Sequence, residues 1–149
     1  MKIKILLIIM ITLFLACNKS TTNNEYYTES DFGTVKKIDL HCHLNTNRTT
    51  FMEQAVADNF RILTINTDVA EYASIQDQEK YAQTQIANFP NNLAYLSTFS
   101  MGGWDDEEWS DRAISQIKES ISRGAIGVKV WKNIGMVEKD KDGNFIMID

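Results

Sequence analysis

The chain predicts a parallel α/β fold, and three observations carry that reading. Short apolar runs alternate with amphipathic helical patterns from Val35 onward. The runs begin at Val35, Arg61, Asn92 and Ala125, about 26 to 33 residues apart, which is the length of a strand–helix unit returning to start a parallel neighbour. The chain has 149 residues, 44% of them hydrophobic, with a single proline, so one modest domain with a real core is affordable. Four such units imply right-handed crossovers and one parallel sheet. A doubly wound sheet and a (β/α)₈ barrel both fit this rhythm. The Gly-rich phosphate loop of a dinucleotide fold is missing after the first run.

The elements follow in order. Val35 to His43 reads as the first strand. Thr49 to Asn59 reads as a helix, with Thr50 as cap, Glu53 three residues on, and Phe51, Ala55 and Val56 as its apolar side. Arg61 to Thr67 is the second strand. Ser74 to Phe89 is the second helix, capped by Ser74, with Ile75, Tyr81, Ala82, Ile86 and Phe89 facing inward. Asn92 to Phe99 is the third strand. Asp105 to Arg123 is the third helix, with Trp109, Ala113, Ile117 and Ile121 as its stripe and Gly124 as its stop. Ala125 to Trp131 is the fourth strand. Asp142-Gly143 then signals a hairpin between short apolar flanks.

The first residues stand apart from this pattern. Lys2 and Lys4 precede an apolar run from Ile5 to Leu15, and Leu13-Phe14-Leu15-Ala16-Cys17 resembles the lipobox of bacterial lipoproteins. The resemblance implies a signal peptide over 1–16, cleavage before Cys17, and a lipid on Cys17. The polar residues 17–34 then read as a flexible lipidated tether, and 35–149 as the domain. The expected location is the cell envelope, anchored in the outer membrane and facing the periplasm, since no aspartate follows Cys17. With Cys17 lipidated, Cys42 is the one remaining thiol and no intrachain disulfide can form. A net charge of −5 excludes a nucleic-acid partner on electrostatic grounds.

The chemistry-bearing stretch is Ile38-Asp39-Leu40-His41-Cys42-His43, which holds both histidines of the protein. In an extended strand, residues two apart share a face, so His41 and His43 present two imidazoles side by side, half of a metal site. Strict alternation puts Asp39 on the same face, deeper in, as an outer partner that orients a ligand or satisfies backbone donors. Ile38, Leu40, Cys42 and Leu44 then face the helices, which makes Cys42 a small core residue. On the fourth strand, Lys129 shares a face with Gly127 and Trp131 and points inward. A buried ammonium needs a counter-charge such as Asp39, a depressed pKa, or chemical modification.

Asp-Leu-His-Cys-His at the end of strand one, with Gly-Val-Lys-Val-Trp on strand four, resembles the amidohydrolase superfamily of metal-dependent hydrolases. The chain is most similar to the amidohydrolase-related branch, which also contains decarboxylases. The resemblance spans about Lys37 to Asp149. It implies the first half, about four strands, of a (β/α)₈ TIM-type barrel. It implies one or two divalent metal ions, zinc foremost, bound by His41, His43 and Lys129, the last as a carboxylated bridging lysine in two-metal members. The implied chemistry is metal-activated water attacking an amide, ester or related bond of a small-molecule substrate.

The family's remaining ligands are histidines after strands five and six, and its base is an aspartate after strand eight. This chain has no third histidine, so no catalytic base is assigned. The expectation is therefore an inactive fragment truncated after strand four. The competing readings are a non-catalytic lipoprotein binding module and a half-barrel completed by a second chain, either a missing carboxyl-terminal half or another copy.

Overall fold

Apolar runs become strands and amphipathic runs become helices in the expected order. In the computed structural model, which describes residues 26–147, β1 (Lys37–Cys42), α1 (Thr50–Ala57), β2 (Phe60–Ile65), α2 (Ile75–Asn88), β3 (Leu93–Leu96) and α3 (Trp109–Ser122) follow one another. The expected signal segment and the lipid-bearing Cys17 lie outside the described residues. Ahead of β1, a 3₁₀ turn (Glu29–Asp31) is closed by Thr28 and Asp31 in a reciprocal capping box. The Phe32 ring then meets Phe60 edge-on, which docks the last tether residues on the base of the sheet.

The strands form one parallel sheet in the order β1-β2-β3. The expected fourth strand is reduced to one parallel bridge between Ser97 and Val128. Ile126 N donates to Tyr95 O and Lys129 N to Ser97 O, so the segment does lie beside β3. It is bonded on one side alone, and Gly127 at its centre sits so close to Leu96 that a Cβ there would come within 3.1 Å of Cδ2. Past it, an antiparallel bridge between Lys139 and Phe145 closes the Asp142-Gly143 turn, with Gly143 at φ +85°.

Helices cover one face of the sheet. Parallel partners share a face, and Ile62 pairs with both Asp39 and Leu93. Ile62 and Leu93 are buried with Met52 and Ala55 of α1 and Leu44, and Ile86 and Phe89 of α2 pack on that cluster. A second cluster joins Ala82 of α2, Tyr95 of β3 and Ala125. Tyr95 also donates its hydroxyl to Ser120 O of α3, which places that helix on the same side.

The alternation read from β1 breaks in the middle. The register slips between Asp39 and Cys42, where three residues on β1 oppose two on β2. Asp39 therefore lies on the helix side with Ile62, and Cys42 regains that side opposite Thr64. Ile38 and Leu40 correspondingly turn away from the helices. They are 63% and 64% exposed and share a groove with Leu63, Ala94 and Ile126. The extra residue, His41, is what a strictly two-residue period could not anticipate.

The helices also differ in which residues they bury. On α1 the inner residues are Met52 and Ala55, while Phe51 and Val56 stay exposed. Eight residues are too few for periodicity to separate two overlapping stripes. On α2 Ser74 caps as expected, its hydroxyl accepting from Asp77 N. The buried side of α2 carries Gln78, Glu79 and Gln85 beside Ile75 and Ala82. Each polar group there has a structural bond. Gln78 brackets Thr67, donating to its carbonyl and accepting from its amide. Glu79 accepts from Tyr95 Oη at 2.7 Å and from Arg123 at 2.8 Å. Gln85 donates to Thr46 O and Arg48 O, both at 2.8 Å.

Candidate functional site

β1 delivers the two histidines at its carboxyl end, and the bulge sets their aim. Asp39 Oδ1 accepts from His41 N at 2.8 Å, so the carboxylate closes the bulge through the backbone rather than through an imidazole. Beyond the bulge, Thr64 Oγ1 takes the Leu44 N–H at 2.9 Å, replacing the ladder bond that the slip removes. The two rings end with centroids 5.3 Å apart and nearly perpendicular. They are therefore neighbours, as the two-residue spacing predicts, although the route there passes through an irregular strand.

His43 is half-buried and held. Its Nδ1 lies 2.8 Å from Ile65 O, and a carbonyl can only accept, so Nδ1 carries the proton. The neutral ring then offers Nε2 as a free lone pair. An imidazole fixed by a backbone carbonyl in this way is the usual arrangement of a metal-ligating histidine. Tyr72 and Trp131 flank the same ring, with centroids 5.7 and 6.1 Å away. His41 is exposed at the strand edge.

Cys42, between them, is on the helix side and packs against the core cluster around Met52. Burial, reinforced by the Asp39 charge, pushes its thiol above the ordinary value, which disfavours the thiolate that metals and electrophiles require.

Lys129 sits in the segment beside β3, two residues before Trp131. Its backbone is fixed on both sides, N to Ser97 O at 2.7 Å and O from Thr98 Oγ1 at 2.8 Å. Its side chain is half-buried and makes no hydrogen bond or ion pair with any described residue. The Asp39 counter-charge considered from sequence is not available to it, because Asp39 lies beneath the opposite face. The structure thus brings His41 and His43 together and leaves Lys129 without a contact to either. Among the described residues, no group of three or more His, Cys, Asp or Glu side chains is placed to hold a metal ion.

The loops around the pair are tied from outside. Gln85, fully buried on α2, anchors the loop that leaves His43 through Thr46 and Arg48. Asp68 Oδ2 accepts from Ser100 Oγ and Met101 N, joining the loops after β2 and β3. Sequence reasoning missed both. A glutamine in a helix and an aspartate in a loop give no periodic signal. Tyr72 and Trp131 were legible only as aromatic residues in loops after strands.

The fit to a metal is that of half a site. Two imidazole nitrogens are at hand, one pre-oriented, whereas a catalytic zinc takes three protein ligands. Comparison with protein-family models, with curated proteins and with solved structures finds no match to this chain.

Proposed function

We propose that this chain is the amino-terminal part of a metal-dependent hydrolase of the amidohydrolase type. In this reading its parallel βα units are the first portion of a (β/α)₈ barrel. One observation carries the reading: two imidazoles 5.3 Å apart at the carboxyl end of β1, with His43 Nδ1 locked on Ile65 O. Barrel enzymes build their sites at that end of the strands. Helices on one face of the sheet, rather than two, also favour a barrel over a doubly wound sheet.

In this proposal His41 and His43 hold a divalent ion, foremost zinc, and Lys129 is the third residue aimed at the same mouth. The ion supplies a water that ionises near neutral pH and attacks an amide, ester or related bond. The chain's own residues position it. Ile65 O fixes the His43 tautomer, Asp39 fixes the bulge that turns His41, and Gln85 fixes the loop beyond. The lipid anchor on Cys17, in the outer membrane, belongs to the same proposal and rests on the lipobox alone.

Zinc titration of the purified chain tests the ligand assignment. With two imidazoles present, binding weaker than micromolar and no turnover are expected. His41→Ala and His43→Ala should each weaken zinc binding by about tenfold or more, as loss of one of few donors requires. Unchanged affinity in both variants would sink the assignment.

A second reading has its own support. Ile38, Leu40 and Ile126 leave an apolar strip open on the face away from the helices. A half-barrel completed by further strands, in a second chain or another copy, would bury that strip. Sedimentation of the full chain at rising concentration distinguishes a discrete complex from a monomer.

A further inference from the structure

From the cleft beside His43 we infer a binding site for a small organic cation, an ammonium or guanidinium group on an apolar frame. The cleft lies at the carboxyl end of the sheet, between the loop after β2 and the segment after Trp131, and encloses about 660 Å³. That volume is in the range of small-molecule sites. Its walls carry three carboxylates, Asp68, Glu71 and Glu138, and no lysine, arginine or histidine lines it.

The carboxylates are unevenly committed. Asp68 is held by Ser100 and Met101. Glu138 has one long bond from Asn133 Nδ2 at 3.5 Å. Glu71 makes no hydrogen bond or ion pair with any described residue. A water-poor concavity with uncompensated negative charge favours a cationic occupant.

Two aromatic rings add the apolar and quadrupolar part. Tyr72 and Trp131 line the cleft and are the same two rings that flank His43. Trp131 already attracts a cation: the Lys132 ammonium lies 5.6 Å from its ring centroid. A ligand cation can take up the same kind of contact from the cleft side.

A third observation is independent of charge. Thr67 lines the cleft, is 1% exposed, and has an Oγ1 with no partner, as does Trp131 Nε1. Gln78 takes up both the amide and the carbonyl of Thr67, so the hydroxyl is left over rather than out of reach of a better arrangement. Buried polar atoms without partners are uncommon, and here two lie on the walls of one cleft.

Where the hydrolase reading holds, the cation is the end of the substrate distal to the bond cleaved, since the cleft adjoins His43. Cation binding itself does not need that reading. The test therefore uses the full chain in EDTA, titrated calorimetrically with argininamide and with citrullinamide, its neutral isostere. Argininamide should bind at least tenfold tighter than citrullinamide. The double variant Glu71→Gln with Glu138→Gln should lose that preference at an unchanged circular dichroism spectrum. Equal binding of the two ligands, full retention of the preference in the double variant, or no binding of argininamide would each overturn the site. Zinc binding indifferent to His41→Ala and His43→Ala would overturn the metal assignment and leave this site standing.

Discussion

Glu79 shows how single residues hold this fold. It is almost fully buried on α2, yet it carries a charge. Burial by itself pushes its carboxyl up, but hydrogen bonds from Arg123, Tyr95 and Ser120, together with the Arg123 charge, outweigh that and hold it below its ordinary 4.5. Tyr95 responds in the opposite sense, its phenol raised by burial and by the Glu79 carboxylate. A depressed carboxyl contributes stability that is present above the unfolded value and is lost as pH falls through the folded one. Urea midpoints should therefore fall as pH drops below about 4.5. Glu79→Gln should flatten that slope and lower stability at neutral pH by about 2 kcal/mol, the scale of a hydrogen bond to a charged group. A variant with the wild-type slope would show that other carboxyls dominate. The sequence made Glu79 look like one more solvated charge. Its value depends on Arg123, 44 residues away.

At the scale of elements, the ends were easier to read than the faces. Gly124 stops α3 at φ +104°, with the Ala125 amide returning to Ser120 O. A Cβ on Gly124 would meet nothing within 4 Å. Gly124→Ala should thus cost about 1 kcal/mol from the backbone alone, measurable by thermal or urea unfolding. No loss would mean that the helix end adjusts freely. Faces failed where local irregularity or polar packing intervened. The β1 bulge reversed Ile38 and Leu40 while keeping His41 beside His43. The inner side of α2 is half polar because Gln78 and Gln85 are needed by loop backbones, so a hydrophobic stripe was the wrong thing to look for. Ile121, expected inside on α3, is 45% exposed, and Ser120 is buried in its place beneath Tyr95.

The whole molecule is a three-stranded parallel sheet clad on one side. Its other side exposes Ile38, Leu40 and Ile126, and parallel sheets are ordinarily covered on both faces. Leu40→Lys places a charge on that strip without disturbing the Met52 core. It should leave unfolding within about 0.5 kcal/mol of wild type, as exposed substitutions do, and reduce self-association in light scattering. A large loss of stability would show that the strip is structurally covered. Unchanged association would show that copies meet through another surface. The same openness bears on the candidate site. Its walls so far come from loops after β1, β2 and β3 and from the Trp131 segment, and each further strand of a barrel would add another.

What the sequence determined by itself is periodicity and order. Apolar runs at strand–helix spacing gave parallel βα units, the pair His41 and His43 gave two adjacent imidazoles, and Asp142-Gly143 gave a turn, because each is encoded within a few residues. Tertiary structure decided the rest. The slip between Asp39 and Cys42 exists only in the pairing of β1 with β2. The tautomer of His43 is set by a carbonyl 22 residues distant. The fourth strand shrank to one bridge because an edge segment has hydrogen bonds on a single side, a deficit that no local propensity can express.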